Sequence, residues 1–166
     1  VLGEDVTQTA PRIALALRQS AKNKAEQLAA QRKTSDWQQL AVQNIAQHAL
    51  SPVYITSFSG TRLDDIAKEV CMANVADQAR LGFAIAHEID PNSPAVPNLS
   101  LDAFVWVKSV AADLLAAEQP LVLAGTSAAS EELLQAAANI VQALLIRGKK
   151  AAITLVVPEV NSLGVS

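Results

Sequence analysis

The sequence predicts a helix-rich α/β domain built on a layered, mostly parallel sheet with helices on its faces. Three short segments have the length and β-branched or aliphatic composition of buried strands: residues 52–58 (PVYITSF), 120–125 (PLVLAG) and 151–158 (AAITLVVP). Helical patterns separate them, and this alternation is typical of parallel strands joined by right-handed crossovers. Apolar residues make up 51% of the 166 residues, which is enough for one hydrophobic core and argues against disorder.

Three helices are expected before the first of these strands. They cover residues 7–19, residues 22–33, and the stretch from Thr34 or Ser35 to Leu50. In the first helix, Thr9 is the expected N-cap, and Pro11 stands early, where its missing N–H costs nothing. The second helix is rich in alanine and polar residues and is expected to be mostly solvated.

Four more helices are expected between and after the strands. They cover residues 61–72, residues 75–89, the stretch from Ser100 to Glu118, and a stretch that follows Thr126-Ser127, has Glu131 and Glu132 in its first turn and ends at Arg147. Thr61 with Asp64 three residues later forms an acidic variant of a capping box. Asn74 or Ala73 is expected to start the second of these helices, and Gly148 ends the last one. Residues 90–97 contain three prolines and are expected to form a loop.

Both ends of the sequence are expected to be truncated. Val1-Leu2 followed by Gly3 has the pattern of the last part of a parallel strand, and no initiator methionine precedes it. Residues 159–166 have the composition of a loop that leads to a further element. We therefore expect residues 1–166 to be a single α/β domain fragment of a larger subunit.

Composition excludes several functional classes. A net charge of −3 does not favour nucleic-acid binding, and the apolar runs are too short for direct membrane insertion. The single cysteine, Cys71, cannot form an internal disulfide or hold an iron–sulfur cluster alone. His48 and His87 are far apart in sequence, and no zinc-binding pattern surrounds them.

The turns after the strands are the places where a ligand site is expected in such a fold. Neither a dinucleotide-binding nor a P-loop motif is present. The turn at Gly3 carries Glu4 and Asp5, which makes it a poor phosphate cradle. The turn at Gly125 precedes a helix N-terminus, which can bind an anion, but Glu131 and Glu132 already complement that helix dipole. Whether a vestigial ligand site remains at the Gly3 or Gly125 turn stays open.

The other chemically interesting side chains have a plainer structural interpretation. Arg62 could meet an anion, but pairing with Asp64 or Asp65 is favoured. Cys71 is expected at a helix end against the sheet, and His87 on a helix as a surface or packing residue. Trp37 and Trp106 are expected to be core or interface anchors. The sequence therefore predicts no catalytic, cofactor-binding or metal-binding residue.

Several strings resemble a known family. They are residues 3–12 (GEDVTQTAPR), 61–67 (TRLDDIA), 77–87 (DQARLGFAIAH), 135–139 (QAAAN) and 160–164 (VNSLG). In this order they are similar to the large iron–sulfur subunit, the G subunit, of bacterial NADH-quinone oxidoreductase, respiratory complex I. The resemblance covers essentially the whole chain, and its specificity comes from length and order, because no string is a catalytic motif.

The resemblance implies an interior fragment of the region of that subunit that is shaped like molybdopterin oxidoreductases, a layered, Rossmann-like α/β fold. The family passes electrons from NADH through 2Fe-2S and 4Fe-4S clusters towards quinone in a proton-translocating enzyme. Those clusters are implied to lie outside this segment, which is expected to hold no cofactor and to be inactive alone. Its implied partners are other subunits of the peripheral arm, on the cytoplasmic face of the inner membrane. In molybdenum enzymes the turn equivalent to Gly3-Glu4-Asp5 usually carries an asparagine; here its acids would repel a pyrophosphate.

Two other classes stay open at this point. A fragment of an active molybdopterin oxidoreductase, such as a formate dehydrogenase relative, would bind its nucleotide cofactor at the Gly3 and Gly125 turns. A stand-alone α/β interaction domain would not be part of a longer polypeptide.

Overall fold

The computed structural model describes residues 1–32, 40, 42, 44 and 49–157. The predicted helix that ends at Leu50 and the predicted loop at residues 159–166 therefore lie largely or wholly outside the described residues. The six helices with described bounds are α1 (Val6–Thr9), α2 (Pro11–Ser20), α3 (Asn23–Gln31), α4 (Val75–Ile89), α5 (Leu101–Ala116) and α6 (Glu131–Ile146). The four named strands are β1 (Tyr54–Ser57), β2 (Glu69–Met72), β3 (Leu121–Gly125) and β4 (Ala152–Val156).

One residue near the start of the chain joins the strands into a single parallel arrangement. β1 pairs in parallel with β2, and β3 pairs in parallel with β4. Leu2 forms parallel bridges to Thr56 of β1 and to Ala124 of β3, so the spatial order is β2, β1, Leu2, β3, β4. Counting the Leu2 segment as the first strand, this is the order of a doubly wound sheet. The parallel α/β prediction is confirmed, and Leu2 does form strand-like bridges, as expected from the Val1-Leu2 pattern.

Helices cover both faces of the sheet. Successive strand residues point to opposite sides, so each face presents apolar side chains to the helices on it. On one face Leu2, Val122 and Ala124 pack with buried residues of α4, α5 and α6. On the other face Ile55, Leu123 and Val156 pack with Val6, Leu17 and Leu63 from the first two helices and the turn after β1. Parallel sheets require this cover on both sides, and the result is a three-layer domain.

The high alanine content serves the close contact between α4 and α6. A Cβ atom on Gly82 of α4 would lie only 2.8 Å from the Cβ of Ala136 on α6. Ala79, Ala86 and Ala137 are at most 3% exposed in the same cluster. Small side chains let the two helix backbones approach, so a larger residue at these positions would separate them.

The predicted helix over residues 61–72 is wrong, because residues 62–66 form turns and residues 69–72 form a strand. Thr61 and Asp64 do form the expected local contacts, with the Thr61 amide donating to Asp64 Oδ2 at 3.1 Å and the hydroxyl to Oδ1 at 2.6 Å. They hold only a turn, and Glu69–Met72 is the strand β2. The hydrogen bonds of β2 come from β1, a partner that no local pattern reveals. Cys71 is therefore a half-buried strand residue and not a helix-end residue.

The predicted first helix is divided into α1 and α2, and Thr9 is not its N-cap. Asp5 caps α1 by accepting from the Thr7 amide at 3.0 Å, while α2 starts at Pro11 without a side-chain cap. The Thr9 hydroxyl donates instead to Glu4 Oε1. The predicted starts of α4 and α5 are confirmed, with Asn74 and Ser100 as their N-caps.

Replacing Gly3 with alanine is expected to cost more stability than replacing Gly148. Both glycines have a left-handed φ, +69° and +76°, so either alanine is strained by about 1 kcal/mol. Only at Gly3 would the new methyl overlap the Leu133 side chain, whereas nothing lies within 4 Å at Gly148. Overpacking adds about 1–3 kcal/mol. Urea unfolding measures both losses, and equal values would contradict the packing at Gly3.

Candidate functional site

The candidate site is the crevice at the switch point of the sheet, between the Leu2 segment and β3. From Leu2 the chain crosses to β1 on one side, whereas β3 and β4 lie on the other side. The connections leave the two central strands in opposite directions, and in folds of this class the ligand crevice lies beyond the carboxyl ends of those strands. The turns at Gly3 and Gly125 line it.

The side chain of Glu4 occupies this crevice. Only 2% of Glu4 is exposed to solvent, which is unusual for an ionisable residue in a turn. Its Oε1 accepts hydrogen bonds from the hydroxyls of Thr9, at 2.6 Å, and Ser127, at 2.8 Å. These donors come from opposite walls, one at the end of α1 and the other after β3. Glu4 Oε2 is buried and has no hydrogen-bond partner among the described atoms.

Gly125 makes room for the Glu4 carboxylate. A Cβ atom at position 125 would overlap Glu4 Oε2 and crowd the rest of that side chain. A residue with a side chain at position 125 and a buried glutamate at position 4 therefore exclude one another. Because Gly125 has no side chain, the Glu4 carboxylate can lie directly against this turn.

A buried polar network holds the turn that carries Glu4. The Gly3 amide donates to the carbonyl and the hydroxyl of Thr56, at 3.0 and 3.1 Å. The Thr56 hydroxyl donates to Gln78 Oε1 at 3.0 Å, and Gln78 Nε2 donates to the Ala73 carbonyl at 2.8 Å. Thr56 and Gln78 are 2% and 1% exposed, so the network is rigid and sheltered from water.

The second acid of the turn has a local structural role. Asp5 Oδ1 accepts from the amide of Thr7 at 3.0 Å and from its hydroxyl at 2.6 Å, which caps α1. The sequence predicts that Glu4 and Asp5 together make the Gly3 turn a poor phosphate cradle. The structure separates them: Glu4 fills the crevice and Asp5 starts a helix.

The first turn of α6 is occupied by the two glutamates that the sequence singled out. Ser130 is the N-cap and accepts from the Leu133 amide at 3.3 Å. The Glu132 backbone amide and the Ser130 hydroxyl hold the pKa of the Glu132 carboxyl below its usual value. Glu131 accepts from Gln135 at 2.9 Å. These carboxylates complement the helix N-terminus, as expected.

The turn at Thr61 and Arg62 is tied to α2 by Arg18. The favoured pairing of Arg62 with Asp64 or Asp65 is wrong, because Arg18 pairs with Asp65 at 2.7 Å and also donates to the Arg62 carbonyl. The hydrogen bond from Arg18 lowers the pKa of the Asp65 carboxyl. Asp64 bonds to Thr61.

A polar cluster that the sequence did not suggest lies at the amino ends of β1 and β2. Asp113 Oδ2 accepts from Lys68 and from the Tyr54 hydroxyl, each at 2.7 Å, and the Tyr54 hydroxyl also lies 2.9 Å from Ser109 Oγ. Burial opposes ionisation of Asp113, but these hydrogen bonds outweigh it and lower its pKa. The cluster joins β1, β2 and α5 at the amino ends of the strands, away from the crevice.

The remaining candidate side chains do not converge on a reaction centre. Trp106 packs edge-on against Tyr54, with ring centroids 6.0 Å apart, which fits the expected anchor. His87 Nδ1 lies 2.7 Å from the Ser93 carbonyl and holds the loop after α4. Trp37 and His48 lie outside the described residues. Among the described residues, no three His, Cys, Asp or Glu side chains could hold a metal ion.

Curated relatives of the chain carry a single name. The G subunit of NADH-quinone oxidoreductase from Pseudomonas putida is 53% identical over 166 residues, the whole of this chain. The same subunit of Salmonella typhimurium and of Escherichia coli is 49% and 48% identical over 164 residues. The chain is homologous to a segment of this subunit. The resemblance predicted from the sequence strings is thereby confirmed, although no protein-family model matches the chain.

The homologous segment is a small part of those relatives. The chain spans 18% of their length, so the relatives are more than five times as long. None of the described helices combines the length and the apolar character needed to cross a lipid bilayer.

Glu4 and Gly125 are expected to be energetically coupled. Gly125→Ala alone should cost about 2–4 kcal/mol, because the methyl displaces a buried carboxylate from its two hydroxyl donors. In a Glu4→Ala background the same methyl enters vacated space and should cost less than about 1 kcal/mol. A double-mutant cycle by urea unfolding measures the coupling, with Gly60→Ala as a control, whose Cβ would meet Asp64 only at 3.4 Å. Additive losses would contradict the geometry.

Proposed function

We propose that this chain is a scaffold segment, without a redox centre, of a subunit that passes electrons from NADH through iron–sulfur clusters towards quinone. The clusters of the parent subunit lie outside the segment. Its partners are other subunits of the peripheral arm of complex I, on the cytoplasmic face of the inner membrane. The segment contributes a rigid three-layer body that supports the cluster-bearing part of the subunit, and it is inactive alone.

The observation that carries the proposal is the burial of Glu4 in the switch-point crevice. In this class of fold, the ligand occupies that crevice. Here a carboxylate fills it, joins its two walls through Thr9 and Ser127, and packs against Gly125. A phosphate-bearing cofactor would have to displace this side chain and then lie beside its negative charge.

The name of the relatives supports the parent activity. They are named as a subunit of NADH-quinone oxidoreductase, and identities near 50% over the whole chain support a shared role for the matching segment. An active molybdopterin oxidoreductase is the rival proposal, in which the Gly3 and Gly125 turns bind a nucleotide. The position of Glu4 disfavours it. A stand-alone interaction domain is disfavoured because the relatives are named as a subunit of an oxidoreductase.

The purified chain is expected to bind neither pyrophosphate nor a guanine dinucleotide. A ligand present at about 100 times its dissociation constant would stabilise the fold by about 2.7 kcal/mol, which a thermal melt detects as a shift of several degrees. No shift is expected with either compound, and iron analysis of the protein should find none bound. A saturable shift, bound pterin or stoichiometric iron would contradict the proposal.

The parent function is tested by exchanging segments. Residues 1–166 replace the matching segment of the Pseudomonas putida relative, and NADH oxidation by membranes is measured. Activity close to that of the unmodified strain is expected, because the segment supports the complex without taking part in electron transfer. A matched control replaces the segment with residues 1–166 carrying Gly82→Leu, which should separate α4 from α6. Loss of activity with both exchanges would contradict the proposal.

A further inference from the structure

The outer edge of β4 has backbone groups that pair with no strand among the described residues. The Ala152 amide donates to the Pro120 carbonyl at 3.0 Å, and the Val156 carbonyl accepts from the Thr126 amide at 3.0 Å. The N–H and C=O groups of successive residues point to alternate sides of a strand, so those of Ala152, Thr154 and Val156 point to β3. Ile153 and Leu155 turn theirs to the opposite side, where no strand of the described residues pairs with β4.

The side chains of the same two residues are also uncovered. Ile153 and Leu155 are 38% and 54% exposed. By register they lie beside Val122 and Ala124, on the face that α6 covers. α6 packs mainly on α4 and β3 and leaves β4 with little cover. Within the described part of the chain, the hydrogen-bonding edge of β4 therefore lacks a neighbour, and its helix-facing side has little cover.

The opposite edge of the sheet is built differently. β2 has four residues and begins with Glu69, next to Lys68, whose ammonium is held by Asp113. Short strands and charged residues are the usual protection of a true sheet edge. β4 has five residues, AITLV, without charge or proline. An apolar, unprotected edge of this kind is typical of a strand that has a partner on each side.

We propose that β4 is an internal strand of a wider sheet, and that a further strand of the same polypeptide, outside these 166 residues, pairs with Ile153 and Leu155. The inference rests on the proposed function, in which the chain is a segment of a longer subunit. The relatives are more than five times as long as the chain, so such a polypeptide has ample residues to supply the strand. The occupant is an extended apolar segment followed or preceded by a helix that covers β4 beside α6.

Hydrogen exchange of single backbone amides tests this pairing. The 166-residue chain is compared with the purified full-length Pseudomonas putida relative that carries residues 1–166 in place of its matching segment. In the longer polypeptide, protection of the Ile153 and Leu155 amides should rise by about 100-fold or more. The Thr154 amide, which faces β3, is the internal control and should be protected in both. Unchanged exchange at Ile153 and Leu155 would overturn the proposal.

Two further outcomes would also overturn it. Protection in the 166-residue chain would mean that its own residues, or at high concentration a second copy, cover the edge. Protection that develops only when other subunits are added would assign the partner to another polypeptide. The measurement uses the isolated long polypeptide, so failure of this pairing is distinct from failure of the parent function, which NADH oxidation reports.

A pair of matched variants gives an independent readout. Leu155→Lys on β4 and Met72→Lys on β2 replace residues of similar exposure, 54% and 60%. In the 166-residue chain both should shift the thermal midpoint by less than about 2 °C, because both side chains are exposed. In the long polypeptide Leu155→Lys should lower the midpoint by several degrees and Met72→Lys should not. Equal effects there would overturn the assignment to β4.

Discussion

Three backbone hydrogen bonds at the start of the chain hold the two halves of the sheet together. The Leu2 amide donates to Leu123, the Gly3 amide to Thr56, and the Thr56 amide to Val1, at 2.7–3.0 Å. Without them β1–β2 and β3–β4 would be separate two-stranded ladders, which have little stability by themselves. Leu2, only 4% exposed, fills the space between them and contacts the cluster beneath α4 and α6.

The central segment also determines what can happen at the switch point. Gly3 turns with φ +69° directly after Leu2, and this turn directs Glu4 into the crevice between the two central strands. The carboxylate then satisfies two hydroxyl donors that would otherwise face a ligand or water. Because the Glu4 side chain fills the crevice, both the occupant and the shape of the crevice are fixed. That property suits the proposed support of neighbouring redox groups better than cofactor exchange.

Prediction from the sequence succeeded where a signal is local. Asn74 and Ser100 cap helices because their side chains reach amides three residues away, and this spacing is visible in the sequence. Gly148 ends α6 because a left-handed residue is required there. Prediction failed for residues 61–72, where correct capping contacts precede a strand. The strand β2 exists because β1 offers hydrogen bonds to it, and helical periodicity in a short segment cannot exclude that alternative.

The candidate site was foreseen only in part. The acidic turn and the glycine turn were both recognised, but the burial of Glu4 depends on Ser127, which is 123 residues away in the sequence. The partner of Asp65 was missed for the same reason, because Arg18 lies 47 residues before it. Each of these contacts forms only when elements from different parts of the chain are packed together.

The sequence alone determined the α/β class, the parallel pairing of the strands, most helix boundaries and the resemblance to a subunit of NADH-quinone oxidoreductase. All of these depend on residue type, short spacing or the order of residues along the chain. The tertiary structure decided that Leu2 is a central strand, that Glu4 fills the crevice above Gly125, and that β4 has an open edge. These features depend on which distant segments become neighbours, and that follows from burying both faces of the sheet, not from any local propensity.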